Sequence, residues 1–124
     1  MSTLETALKD ALSIEGAFGA AVVDCSSGLA LGTLGNSPEF DLNIAAAGTT
    51  DVVRAKLRTL EMLGLQQEAI EDFLITLSGQ YHLIRPLSSP SAQGVFLYLA
   101  LDRSRANLAL ARHRMRAVEQ SIEL

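Results

Sequence analysis

The sequence predicts a single α/β (α+β) domain over residues 1–124, an antiparallel sheet with helices on both faces, in the order αββαβββα. Three observations support this prediction. The chain has 124 residues, 48% of them hydrophobic, so it can form one core without a disulfide or a metal. Its apolar residues recur at helical spacing in three segments and form short runs or alternate in five others. Turn-forming residues separate these segments.

A helix and a hairpin are predicted at the start of the chain. The helix runs from about Ser2 to Ile14, because its apolar residues fall on one stripe and Ser2 with Glu5 matches a capping box. Two apolar runs follow, at 18–23 and 29–34, separated by the sequence DCSSG. Aspartate, serine and glycine are typical of tight turns, so these runs predict two antiparallel strands.

A long helix is predicted from about Asp41 to Leu63, with Gly64 as its C-cap. It carries apolar residues on two sides, which is more than one sheet face would cover. One side holds Ile44, Ala45, Gly48, Val52, Ala55, Thr59 and Met62, and the other holds Leu42, Ala46, Val53, Leu57 and Leu60. The surplus apolar surface indicates self-association.

Three strands and a final helix are predicted for the rest of the chain. Apolar residues alternate over 73–78, 81–85 and 95–101, which predicts an antiparallel meander. Glu71 and Asp72 open the first of these strands, so their side chains are expected to point to opposite faces. The last helix is predicted over about 103–122, with Asp102 as its N-cap.

Composition excludes several classes of function. The net charge of -4 and pI near 5.0 oppose nucleic-acid binding, and the 5% aromatic content offers little surface for base stacking. One cysteine cannot form an internal disulfide, and no apolar run resembles a signal peptide or a membrane span. We therefore expect a soluble cytoplasmic protein that does not insert into membranes.

No catalytic, cofactor or metal site is predicted, so the protein is expected not to be an enzyme. Cys25 lies at a hairpin turn, away from any helix N-terminus that would lower its pKa, although pairing with His82 or His113 is not excluded by counting. The glycines near Ser26 and Ser27 match neither a nucleophile elbow nor a phosphate loop. The single cysteine and two separated histidines lack zinc-ligand spacing.

Arginines are concentrated near the C-terminus. Arg105, Arg112 and Arg116 are separated by seven and four positions, so they would share one face of the predicted last helix. This face is a candidate docking surface for an acidic partner or a membrane surface. The alternative is a solvated face that pairs with the acidic residues of the first 41 positions.

Four segments together resemble the Roadblock (dynein light chain) family, including its bacterial members. They are GAFGAAVVDCSSGLALG, FDLNIAAAGTTDVVRAKLRTLEMLGL, IEDFLITLSGQYHLIRPL and GVFLYLALDRSRANLALARHRM. The resemblance lies in their order and spacing over nearly the whole chain. It implies a five-stranded antiparallel sheet with the long central helix on one face and the two terminal helices on the other. It also implies a homodimer, built from paired central helices and a continuous sheet, that binds or regulates small Ras-like GTPases or acts as a scaffold.

The apolar pattern and the family resemblance indicate self-association through the same surface. The predicted dimer interface consists of Ile44, Ala45, Gly48, Val52, Leu60, Leu63, Phe73, Ile75 and Leu77. An alternative hypothesis is a small-ligand sensor with a related plan, binding a metabolite near His82, Tyr98 and Arg85. An enzyme built on Cys25 is a third hypothesis.

Overall fold

The computed structural model describes residues 3–124, and the elements follow the predicted order αββαβββα. They are α1 (Leu4–Leu12), β1 (Ala17–Asp24), β2 (Leu29–Gly35), α2 (Leu42–Met62), β3 (Phe73–Thr76), β4 (Gln80–Pro86), β5 (Val95–Asp102) and α3 (Leu108–Ser121). A short 3-10 turn, Pro90–Ala92, lies between β4 and β5. Across residues 3–124, no helix combines the length and the hydropathy that crossing a bilayer requires.

The five strands form one antiparallel sheet in the order β2-β1-β5-β4-β3. The predicted hairpin and meander are both present, and β1 joins them by pairing with β5. β2 and β3 therefore lie at the two edges. The sheet separates two apolar clusters: α1 and α3 contribute to one, and α2 contributes to the other. This confirms the expected arrangement of the helices on the two faces.

Capping residues mark the start of α1 and both ends of α2. Asp41 caps α2, because its Oδ1 accepts hydrogen bonds from the backbone N–H groups of Asn43 (2.9 Å) and Ile44 (3.2 Å). Gly64 follows the helix with a φ of 73°, as a C-terminal glycine should. Thr3 caps α1 through a bond from the Thr6 N–H, while the predicted cap residue, Ser2, lies outside the described residues.

The predicted start of the last helix is wrong. Asp102 still belongs to β5, and the backbone N–H of Arg103 donates to the carbonyl of Gly79 (3.0 Å), so the chain is still held to the sheet at these residues. The Asp102 carboxylate instead accepts from the N–H of Ser104 and holds a turn. α3 begins five residues later than expected, capped by Asn107, whose Oδ1 accepts from the Leu110 N–H (3.0 Å).

Candidate dimer interface and partner-docking surface

α2 buries only a narrow stripe against the sheet. Its buried residues are Ala46, Thr50 and Val53, spaced by four and three positions. At 3.6 residues per turn, the opposite side of the helix carries the stripe that contains Ile44, Gly48, Val52, Ala55, Thr59 and Met62. Ile44 is 71% exposed and Met62 is 74% exposed. We call this set the outward stripe of α2. It is an apolar surface that no other part of the described chain covers.

Gly48 lies within the outward stripe, between Ile44 and Val52. A Cβ atom placed on Gly48 would have no neighbouring atom within 4 Å outside its own helix. The single chain therefore gives no steric reason for glycine at this position, although glycine costs about 1 kcal/mol relative to alanine inside a helix. A glycine here would permit the close approach of another backbone.

β3 supplies the second part of the predicted interface. It is an edge strand of four residues, and within residues 3–124 it pairs only with β4. Phe73 and Ile75 are half-buried and pack on the α2-side cluster, whereas Leu77 is exposed just beyond the strand end. An open edge presents backbone donors and acceptors on which another strand can pair.

The remaining predicted interface residues differ in exposure. Leu63, the C-cap of α2, is exposed, whereas Ala45 and Leu60 are half-buried and Ala45 packs on the α2-side cluster. The structure thus brings Ile44, Gly48, Val52 and Leu63 to the surface of one helix. That a second copy covers them stays a prediction.

The three candidate docking arginines do not share one helix face, contrary to the prediction. Arg105 lies in the turn before α3, because the helix starts only at Leu108. Arg112 forms two hydrogen bonds to the Asp72 carboxylate, at 2.8 and 2.9 Å, and Arg116 approaches Glu71 at 3.9 Å. Arg112 and Arg116 are thus partly neutralised within the chain, and Arg105 remains exposed.

The acids that pair with α3 are not those expected from the sequence. Glu71 and Asp72 both reach the same helix, so the prediction that they point to opposite faces is wrong. The reason is that β3 begins only at Phe73, so the strand alternation does not apply to the two preceding residues. The N-terminal acids expected as partners of these arginines form none of these contacts.

The DCSSG segment is a turn, as predicted. The Asp24 carboxylate accepts hydrogen bonds from the hydroxyls of Ser26 (2.9 Å) and Ser27 (3.0 Å), and these bonds lower the pKa of Asp24. Gly28 has a φ of 75°, and Arg54 on α2 donates to the carbonyl oxygens of Cys25 and Ser26. No local pattern indicated this arginine contact, which fixes the hairpin to α2.

His82, Tyr98 and Arg85 do not line one pocket, so this part of the ligand-sensor hypothesis is wrong. The His82 and Tyr98 rings contact each other on the α2 side of the sheet, with centroids 5.5 Å apart. Arg85 projects from the opposite face, where its Nε donates to Glu119 of α3 at 3.0 Å. Successive residues of a strand alternate between the two faces of the sheet. His82 and Arg85 are an odd number of positions apart along β4, so their side chains lie on opposite faces.

Burial gives His82 a testable effect on stability. Desolvation lowers the pKa of His82 from its ordinary value of 6.5, so the folded state keeps the imidazole neutral where the unfolded state takes up a proton. The free energy of unfolding should therefore fall as the pH decreases from about 7 to about 5.5. In His82→Gln this dependence should be weaker, as measured by urea unfolding at several pH values. An equal dependence in both proteins would contradict this assignment.

Sequence reasoning missed a buried polar network on the other face. The Glu119 carboxylate is almost fully buried and accepts from Arg85 through Oε1. Its Oε2 accepts from the backbone N–H (2.9 Å) and the hydroxyl (2.6 Å) of Ser88. The only available signal was Arg85 itself, a charged residue at a strand position whose side chain the alternation directs towards the apolar core.

Comparison with known proteins identifies the fold. No protein-family model matches the chain, and no curated protein matches it significantly in sequence. A Roadblock/LC7 domain from Streptomyces avermitilis matches with a TM-score of 0.76 at 15% identity, covering 97% of this chain and 94% of that one. The gliding protein MglB from Thermus thermophilus matches with a TM-score of 0.76 at 16% identity, covering 92% and 81%. MglB with a tetrameric arrangement also matches at 0.76, with 18% identity and coverage of 93% and 81%.

These structural matches each cover more than nine-tenths of the chain, at 97%, 92% and 93%. The sequence resemblance and the structure comparisons therefore point to the same architecture, although the identities are low. The chain has the Roadblock/LC7 fold.

Proposed function

We propose that the chain is a homodimeric, non-enzymatic interaction module of the cytoplasm that binds or regulates a small Ras-like GTPase or its complex. The observation that carries this proposal is the outward stripe of α2, an uncovered apolar surface on a Roadblock/LC7 fold. The GTPase as partner follows from the family resemblance of the sequence. The self-association follows from the exposed residues themselves.

The area of the outward stripe is too small to form a stable dimer interface by itself. A helix of 21 residues is roughly 30 Å long and about 10 Å wide, so its outward side offers about 300 Å². A stable interface buries about 800 Å² on each partner. The α2 helices therefore need a second contact, and the open edge of β3 is the candidate because its residues Phe73 and Ile75 pack on the same apolar cluster as the buried side of α2. Pairing of the two β3 edges would extend the sheet across the dimer.

The structural neighbours support an assembling or regulatory role. One is named a gliding protein, and another is MglB in a tetrameric arrangement, so this fold self-associates in at least one protein. The residues here that resemble reactive groups have structural explanations, since Asp24, Ser26 and Ser27 bond to one another in a turn. We therefore assign binding rather than catalysis to this chain.

Of the three candidate docking arginines, Arg105 is the one best placed for an acidic partner surface. It is exposed in the turn before α3, whereas Arg112 and Arg116 already face Asp72 and Glu71. Charges at the rim of an interface mainly raise the association rate and its salt dependence. We expect the same here.

The proposed function is tested by capture followed by a direct binding measurement. The purified chain is immobilised, small GTPases bound from the source cells are identified, and each is then titrated in its GDP and GTP-analogue states. We expect micromolar or tighter binding to one nucleotide state, weakened about tenfold in Arg105→Glu. The matched control is Lys9→Glu, the same charge change at an exposed residue that forms an ion pair with Glu5 within α1. Absence of binding to any small GTPase would contradict the proposal.

A further inference from the structure

A cavity of about 400 Å³ lies at the end of the sheet where β4 extends beyond β3. β3 starts its pairing at Phe73 with Ile84, so the next two residues of β4 have no strand beside them on that edge. The connector from α2 to β3 borders this gap. Apolar side chains dominate the lining, notably Val53, Leu57, Ile70, Leu87, Val95 and Phe96. The volume lies within the range of small-molecule sites, about 300–1,000 Å³.

One end of this cavity is polar and charged. Arg85, Ser88 and Glu119 all line it, and Arg85 is only 9% exposed. The Nε of Arg85 donates to Glu119, but its two terminal nitrogens donate to no acceptor among residues 3–124. No fully buried side-chain nitrogen in that range lacks a partner, so each of these two nitrogens keeps at least a small solvent-accessible surface. Arg85 lines this cavity, which is therefore the open space next to its side chain.

The distribution of hydrogen bonds makes this end a donor site. Glu119 accepts three hydrogen bonds, from Arg85 and from the backbone and hydroxyl of Ser88. The Glu119 carboxylate therefore has little capacity left to accept hydrogen bonds, whereas the Arg85 guanidinium still has unused N–H donors in a planar fork. A carboxylate is the group that matches such a fork with two parallel hydrogen bonds. Glu119 already balances the charge of Arg85, and Glu71 also lines the cavity. Hydrogen bonds to the guanidinium rather than net charge would therefore hold a bound carboxylate, and the two charges of a phosphate monoester would be disfavoured.

We propose that this cavity binds a small amphipathic monocarboxylate, held by Arg85 at the carboxylate and by the apolar walls along its tail. The tail would lie against Val53 and Leu57 of α2 and Phe96 of β5. This inference is independent of GTPase binding and of the dimer. It places a ligand site near Arg85, but away from the His82 and Tyr98 positions of the sensor hypothesis.

The chain carries its own reporter for this site. Cys25, the only cysteine, is half-buried and lines the same cavity. A bound tail should hinder access of a thiol reagent, so the rate of Cys25 modification measures occupancy. The probes are octanoate and decanoate, with decanol and decylamine as matched controls that lack the carboxylate. We expect decanoate to bind about tenfold more tightly than octanoate, because two more methylenes are buried. Decanol and decylamine should protect at least tenfold less well than decanoate.

A double variant separates the ligand role of Arg85 from its structural role. Arg85→Met/Glu119→Gln removes both charges together and keeps an acceptor for Ser88, so it avoids leaving one buried charge alone. Its protection by decanoate should fall to that given by decanol. The result that would overturn the proposal is equal protection by decanoate and decanol in the unmodified protein, or no protection at millimolar decanoate. This comparison needs no variant, so it holds even if the double variant does not fold.

Discussion

Gly48→Arg is expected to convert the dimer into a monomer while leaving the fold intact. The substitution places charge and bulk at the centre of the outward stripe, where a second helix would have to desolvate the guanidinium. A central interface residue of this kind should weaken association by at least a hundredfold, about 3 kcal/mol. The single chain has free space at Gly48, and arginine favours helix by about 0.8 kcal/mol over glycine, so the monomer should be no less stable. Light scattering at micromolar concentration gives the mass, and thermal unfolding checks the fold.

The matched control is Ala47→Arg, one residue earlier on the same helix. Ala47 is also exposed, but it shares the polar side of α2 with Asn43 and Asp51. Arginine there should leave the mass of the assembly unchanged. Equal dissociation in both variants, or a dimer that survives Gly48→Arg, would show that the outward stripe is not the interface.

Glu119→Ala is expected to lower the free energy of unfolding by about 3–5 kcal/mol. The carboxylate is almost fully buried, and its removal leaves Arg85 without a counter-charge and the Ser88 N–H without its acceptor. Uncompensated buried charges are far more costly than the net value of the pair. Urea unfolding measures the loss, and the slope of the transition reports whether unfolding stays two-state.

The control for this prediction removes both charges at once. Arg85→Met/Glu119→Gln should cost less than Glu119→Ala alone, because no buried charge is left unpaired. A cost below about 1 kcal/mol for Glu119→Ala would mean that solvent reaches the network freely. In that case the pair is not a buried salt bridge in solution.

The order of elements could be predicted from the sequence because local patterns determine it. The alternation in β3, β4 and β5 and the helical spacing in α2 extend over enough residues to outweigh single exceptions. The start of α3 could not be predicted in the same way. Asp102 is a good N-cap by residue type, but the hydrogen bond from Arg103 to Gly79 keeps the strand pairing, and only the tertiary structure reveals it.

The candidate site was predictable to a similar extent. The two apolar sides of α2 were visible in the spacing alone. In the structure, Ala46 and Val53 of one side pack on the sheet, and Ile44 and Val52 of the other are exposed. Leu57, which the spacing assigns to the packed side, is 49% exposed.

The cavity at Arg85 was not predictable. The strand pattern shows that Arg85 needs a buried partner, but Glu119 lies 34 residues away on another element. Similarly, nothing local indicated that Asp72 would meet Arg112.

The solution mass of the unmodified protein tests the central claim most directly. Sedimentation equilibrium over a concentration series from micromolar upwards gives this mass without a matrix or a tag. If the outward stripe of α2 and the open edge of β3 form the interface between two copies, the mass is twice the 13.2 kDa of one chain. A mass of one chain throughout the series would contradict the dimer and the function built on it.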